Sequence, residues 1–144
     1  MGKFEDELNH LRRTLCGQVD APASTAATLH QLSAADAWRP VPGQCHDNVD
    51  RWVLLHEGDR PQRGWLHQPF ADLPYRFVAH SVVLTRSGNL LDVTLGPSAT
   101  PYRFLPHPRD TVGFFALLIA RPDASILAIP TYTTNSGESQ QKYN

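Results

Sequence analysis

The stretch GQCHDNV, residues 43–49, puts a cysteine where a proline- and glycine-rich loop gives way to an amphipathic run. A cysteine in that place can be a small buried hydrophobe, a metal ligand or a nucleophile. As a nucleophile it must ionise, because the thiolate is the attacking species and a free thiol has a pKa of about 8.5. A helix N-terminus supplies unpaired N–H groups and the positive end of a dipole, both of which favour the thiolate. A nearby histidine can take the proton and hold it as imidazolium. Cys45 has the first feature if a helix starts there, and the choice of histidine decides the second.

Seven histidines are available: His10, His30, His46, His56, His67, His80 and His107. His46 adjoins Cys45 but points about 100° round a helix from it, so it is expected to be poorly aimed. His80 differs from the rest. It lies in VAHSVV, inside a strong strand pattern, where a polar ring needs a partner. Asp92 is similarly embedded in LLDVTL, on the segment expected to pair with that strand. A buried carboxylate is unfavourable unless partnered, and each group answers the other's need. The aspartate would also set the imidazole tautomer and support its positive charge.

Register decides whether the two can meet. If Leu84 pairs with Leu90 around a five-residue loop, Val82 faces Asp92, and His80 is the diagonal neighbour at about 7–8 Å between backbones. A tight two-residue turn at Gly88-Asn89 would put Asp92 on the wrong face. The triad therefore requires a bulge or a wider loop over 85–89, which the glycine of Ser87-Gly88-Asn89 permits.

The elements that must position these groups read as follows. Phe4, Leu8, Leu11 and Leu15 form one helical stripe over 3–16, with Gly17 as its expected stop. Residues 24–38 read as a second, weaker helix with Ser24 as N-cap. Val49, Trp52, Val53 and His56 define a helix from about Cys45 to Glu57, ended by Gly58. Strands are expected at QRGWLHQ, at 75–86 and at 90–95. The region from Gly96 to Asp110 reads as a proline-rich loop. TVGFFALLIAR and ILAIPTYT read as two further strands joined by PDAS, although a short apolar run such as the first is also compatible with a buried helix. The order, helices first and then an antiparallel sheet, is α+β. Residues 1–134 read as a single domain and 135–144 as a flexible tail.

Bulk properties narrow the classes. The chain has 144 residues and a formal net charge of −1, without a lysine- or arginine-rich block, so neither nucleic acid nor a membrane surface is an expected partner. The N-terminus shows no apolar signal region and the longest apolar stretch is too short to span a bilayer. Two cysteines do not make a disulfide framework, which fits the reducing cytoplasm. No C-x-x-C or H-E-x-x-H spacing is present, so a zinc site built from Cys45, His46, His67 and His80 is the weaker alternative, and no cofactor is expected.

Cysteine at a helix start, histidine in a later strand and an acid in the next strand is an order that resembles the papain-like superfamily. His80-Ser81-Val82-Val83-Leu84, Ser87-Gly88-Asn89 and Leu90-Leu91-Asp92 resemble the histidine hairpin of NlpC-type peptidases. Leu91-Asp92-Val93-Thr94 also looks like the aspartate strand of transglutaminase-like proteins. The resemblance covers roughly residues 43–95. It departs from the NlpC pattern around the cysteine, where Gln44 precedes and His46-Asp47 follow. It implies a papain-like domain with Cys45 as nucleophile, His80 as base and Asp92 as orienter, acting on an amide or isopeptide of a protein or peptide substrate. Gln44, or the backbone N–H of Cys45, would line an oxyanion hole, and Trp65 would line the substrate cleft or else pack the sheet. A catalytically inactive binding module on the same fold is the other reading.

Overall fold

A computed structural model describes residues 2–21, 27–28, 30–31, 38–95 and 102–129. The elements in chain order are helix α1 (Lys3–Asp20), strands β1 (Ala27–Thr28) and β2 (His30–Gln31), helix α2 (Cys45–Leu55), strands β3 (Arg60–His67), β4 (Tyr75–Leu84), β5 (Leu90–Asp92) and β6 (Arg103–Pro106), helix α3 (Phe114–Ala120), a 3-10 turn (Pro122–Ser125) and strand β7 (Ile126–Ile129). The architecture is α+β. The strand order is β1-β6-β3-β4-β5-β2, with β7 also pairing to β4. All pairs are antiparallel except β2 with β5.

β4 is the hub. One edge pairs with the whole of β3, from Phe77 opposite His67 to Leu84 opposite Arg60. The other edge is shared. β7 takes Tyr75 to Val78 and β5 takes Val83 and Leu84. Between them, residues 79–82 have no ladder partner on that edge among the described residues. The sheet opens at that point, and His80 and Ser81 lie in the opening.

The leucine stripe of α1 does what its spacing predicts: Leu8, Leu11 and Leu15 are fully buried against Trp65, Phe77, Leu105, Phe114, Leu117 and Leu127. The helix does not stop at Gly17. It continues to Asp20, because Val19 still packs on this core and the Tyr75 hydroxyl donates to both Asp20 carboxylate oxygens at 2.9 and 2.7 Å. A second cluster joins Val49 and Trp52 of α2 to Val83 and Val93. A third joins Leu66, Val82 and Phe104 on the remaining face.

Three other expectations are corrected. The helix expected at 24–38 is absent where it is described: Ala27–Thr28 and His30–Gln31 are extended and serve as edge pairs to β6 and β5, and residues 22–26, 29 and 32–37 lie outside the described residues. The proline-rich loop contains β6, which covers the outer edge of β3 and buries Phe104 and Leu105 completely. TVGFFALLIAR is a helix rather than a strand. Only one side of the run is covered, so Phe114 and Leu117 are buried while Ile119 is exposed, a 3.6-residue division that a strand would not give. Gly96-Pro97, the end of the last expected strand beyond Ile129 and the tail at 135–144 lie outside the described residues. No helix among the described residues is long and apolar enough to cross a membrane.

Gly64 stands opposite His80 on β3 and opposite Pro106 on β6. A Cβ there would run into the Leu105 carbonyl oxygen and come within 2.7 Å of the Phe104 ring. Gly64→Ala is expected to lower unfolding free energy by about 1–3 kcal/mol, the usual range for overpacking, as read by chemical denaturation. An unchanged midpoint would contradict the close approach of β6.

Candidate active site

Cys45 is the first residue of α2, with exposed Gln44 as the N-cap. Gln44 contributes no side-chain cap, so the N–H groups of the first turn have no partner from that side chain. The loop before the helix turns at Gly43, whose φ of +76° only glycine adopts readily.

The helix start is held in place by Asn48, one turn further on and fully buried. Its amide nitrogen donates to the Val41 carbonyl at 2.9 Å and to Thr94 Oγ1 at 3.1 Å. Its oxygen accepts from the Val41 N–H at 3.0 Å and from Arg51 at 2.9 Å. Trp38 adds a second tie, donating from its indole to the Val93 carbonyl at 2.7 Å while Arg51 stacks over its ring. Asn48 therefore fastens the loop, the helix and the segment after β5 together. Sequence reasoning passed over it, because an asparagine in a first turn carries no signal of long-range bonding.

The β4–β5 register pairs Leu84 with Leu90 and Val83 with Leu91. The intervening turn is the wider one: Thr85 N–H bonds the Asn89 carbonyl, Gly88 N–H bonds the Thr85 carbonyl, and Gly88 has a φ of +93°. His80 and Asp92 consequently meet on one face, with His80 Nε2 2.8 Å from Asp92 Oδ2. Asp92 is completely buried and His80 nearly so. The second carboxylate oxygen accepts the backbone N–H groups of Thr94 and Leu95 at 2.8 and 2.9 Å. Burial pushes Asp92 up, but the His80 bond and those two amides outweigh it and hold the carboxyl below its usual range. With Nε2 engaged by the carboxylate, Nδ1 is the ring nitrogen left for the thiol.

His80 also interacts with the Cys45 thiol. Burial raises the thiol, yet hydrogen bonds from His46 and His80, with their charges, overcome it and lower the thiol to about 6. Burial lowers His80, yet its bonds to Asp92 and Cys45 overcome that and raise the ring to about 9. Between those two values the pair is thiolate and imidazolium. Cys16 is the contrast. Burial, then the Asp20 carboxylate, pushes it up to about 11, so it stays a thiol.

His46 requires a correction. It was expected to be poorly aimed, but its Nδ1 lies 3.7 Å from Cys45 Sγ and makes a short contact with Ser81 Oγ. The exposed outer turn of α2 is covered here by α3, and the His46 ring is gripped edge-on by Phe114 and Phe115. That packing swings the ring back over the thiol. Trp65 is the second correction. It is fully buried in the α1-side core, behind Phe114, and donates its indole N–H to His107 Nδ1 at 3.1 Å. It packs the sheet and lines no cleft.

The remaining described histidines have other work. His107 donates from Nε2 to the Val112 carbonyl, His67 Nε2 contacts the Pro74 carbonyl oxygen, His56 stacks on Trp52 and His10 pairs with Asp110 at the surface. Among the described residues no group of three or more histidine, cysteine, aspartate or glutamate side chains is placed to hold a metal ion.

The chain matches no protein-family model, no curated protein and no solved structure.

Asn48→Ala removes both donors and the acceptor from a buried junction. A loss of about 2–3 kcal/mol in unfolding free energy is expected, the scale for stranding buried polar partners. Asn48→Asp should be at least as damaging, because a carboxylate cannot donate to Val41 or Thr94. Equilibrium denaturation measures both, and native-like stability of Asn48→Ala would refute the junction.

Proposed function

We propose that the protein is a thiol-dependent acyl-transfer enzyme acting on amide or isopeptide bonds, and that it is a divergent papain-like domain of the NlpC or transglutaminase-like kind. The observation that carries this reading is the buried His80–Asp92 pair at 2.8 Å, set against a thiol at the start of a helix. A core ion pair of this sort needs no cysteine beside it. A cysteine nucleophile uses such a pair to take its proton and to hold the imidazole oriented.

In this reading the Cys45 thiolate attacks the carbonyl carbon and forms a tetrahedral adduct. His80 then gives its proton to the leaving amine, the C–N bond breaks and a thioester remains on Cys45. Water or a second amine attacks the thioester, His80 takes the proton of that nucleophile, and the Cys45 thiolate is released as the acyl group leaves, which restores the thiolate–imidazolium pair. Asp92 keeps the imidazole oriented through both halves and supports its charge. The N–H groups at the start of α2, with Gln44 beside them, are the donors for the oxyanion. Both described cysteines are unpaired, which supports a reducing compartment such as the cytoplasm.

The test is the pH dependence of Cys45 alkylation by a neutral haloacetamide, with Cys16→Ser as background. The thiolate fraction increases as pH rises through its pKa, so the rate should climb through pH about 6 rather than near 9.0. His80→Ala should move that limb toward the ordinary value and slow the reaction at pH 7 by about tenfold or more, since each unit of pKa is a factor of ten in thiolate. A limb near 9.0 in the unaltered protein, indifferent to His80, would favour a non-catalytic binding module instead. Once an amide substrate is in hand, turnover should be bell-shaped, falling below about 6 as the thiolate is lost and above about 9 as the imidazolium is lost.

A further inference from the structure

The two imidazoles at Cys45 stand in opposite electrostatic settings. Behind His80 is the Asp92 carboxylate. Behind His46 is a cation. Ser81 Oγ, fully buried, contacts His46 Nδ1 and accepts a hydrogen bond at 2.9 Å from Arg63. Arg63 lies over the Phe115 ring at 4.9 Å and pairs outward with Asp50 at 2.7 Å. The chain thus runs Cys45, His46, Ser81, Arg63, Asp50, and it begins at the same sulfur that His80 reaches.

This setting restricts what His46 can do. The groups facing it are the Cys45 sulfur, Ser81, the Arg63 guanidinium beyond that hydroxyl, and the apolar rings of Phe114 and Phe115. The charge behind it, one hydroxyl away, is the Arg63 guanidinium and not a carboxylate. His80 has the reverse arrangement and is where a proton is stabilised. A thiolate only accepts hydrogen bonds. In the ionised state the Nδ1 that faces the sulfur must therefore carry the hydrogen. Ser81 Oγ has two lone pairs, enough to accept from Arg63 and to share that same Nδ1–H.

We propose that His46 is a second hydrogen-bond donor to the Cys45 thiolate, with its Nδ1–H aimed at the sulfur by the Ser81–Arg63–Asp50 chain, while His80, backed by Asp92, is the group that takes up and returns the proton. The proposal rests on the reading of Cys45 as a nucleophile. It assigns His46 to holding the anion, Ser81 and Arg63 to keeping that ring aimed, and Asp50 to balancing Arg63 at the surface. The dipeptide Cys45-His46 then has a chemical reason for being adjacent.

The experiment is the alkylation–pH profile of His46→Ala, His46→Asn and His46→Gln beside the unaltered protein, each checked for native circular dichroism and thermal midpoint. His46→Ala should move the rising limb up by about one pH unit or more, the scale of one charge-assisted hydrogen bond. The side-chain nitrogen of asparagine is as far along the chain as ring Nδ1, and that of glutamine as far as Nε2. His46→Asn should therefore recover most of the shift and His46→Gln should not. A limb unmoved in folded His46→Ala, or equal recovery by asparagine and glutamine, overturns the proposal. Nitrogen-15 spectra of the ring in the unaltered protein at pH 7.5 need no variant to fold: a ring that carries its hydrogen at Nδ1 supports the assignment, and a bare Nδ1 overturns it. The reading of Cys45 itself fails differently, by a limb near 9.0 in the unaltered protein.

Discussion

The buried hydrogen bond between His80 and Asp92 is the constraint around which the site is arranged. A carboxylate with no exposure is strongly unfavourable unless its oxygens are hydrogen-bonded. Here one oxygen takes the imidazole and the other takes two backbone amides. That demand fixes more than one residue. The chain after Asp92 must curl so that Thr94 and Leu95 present their N–H groups. The turn over 85–89 must be wide enough to put Asp92 on the face of His80. The strand carrying His80 must leave the imidazole a free side. β4 meets the last condition by giving its second edge to β7 at one end and to β5 at the other.

The curled segment after β5 is also where α2 is tied. Trp38 bonds the Val93 carbonyl and Asn48 bonds Thr94, so the residues that satisfy Asp92 are the ones that locate the cysteine helix. Orienting acid and nucleophile are thus coupled through one short stretch of backbone. An interaction between a thiol and an imidazole from distant elements is sensitive to small displacements. A polar junction of defined geometry suits that need better than apolar contact alone, which is non-directional.

Charge is distributed with the same economy. The acid stands behind one imidazole, His80, and the arginine stands behind the other, His46, through the Ser81 hydroxyl. Neighbouring residues of one strand, His80 and Ser81, point to these two settings and so separate two roles that would otherwise compete for one proton.

Much of this was written in local pattern. The leucines of α1, the stripe of α2 and the strands around His80 and Asp92 follow from periodicities that neighbours in sequence impose on one another. The meeting of His80 with Asp92 followed from parity and one turn length, because a two-strand register depends on few residues. Other features had no local signature. Gly17 does not end α1, since Val19 and the Asp20–Tyr75 contact come from the far side of the core. β6 is a strand because β3 has an edge to fill, whatever its prolines suggest. α3 is helical because only one side of an evenly apolar run is covered. Above all, the aim of His46 depends on Phe114 and Phe115 closing over it and on Arg63 reaching Ser81 from another strand. The sequence by itself determined which groups can ionise, accept or donate and which of them share a strand face. Only the tertiary structure decided that His46 reaches the same sulfur with Arg63 behind it, because that placement is made by packing between elements that the chain brings together from far apart.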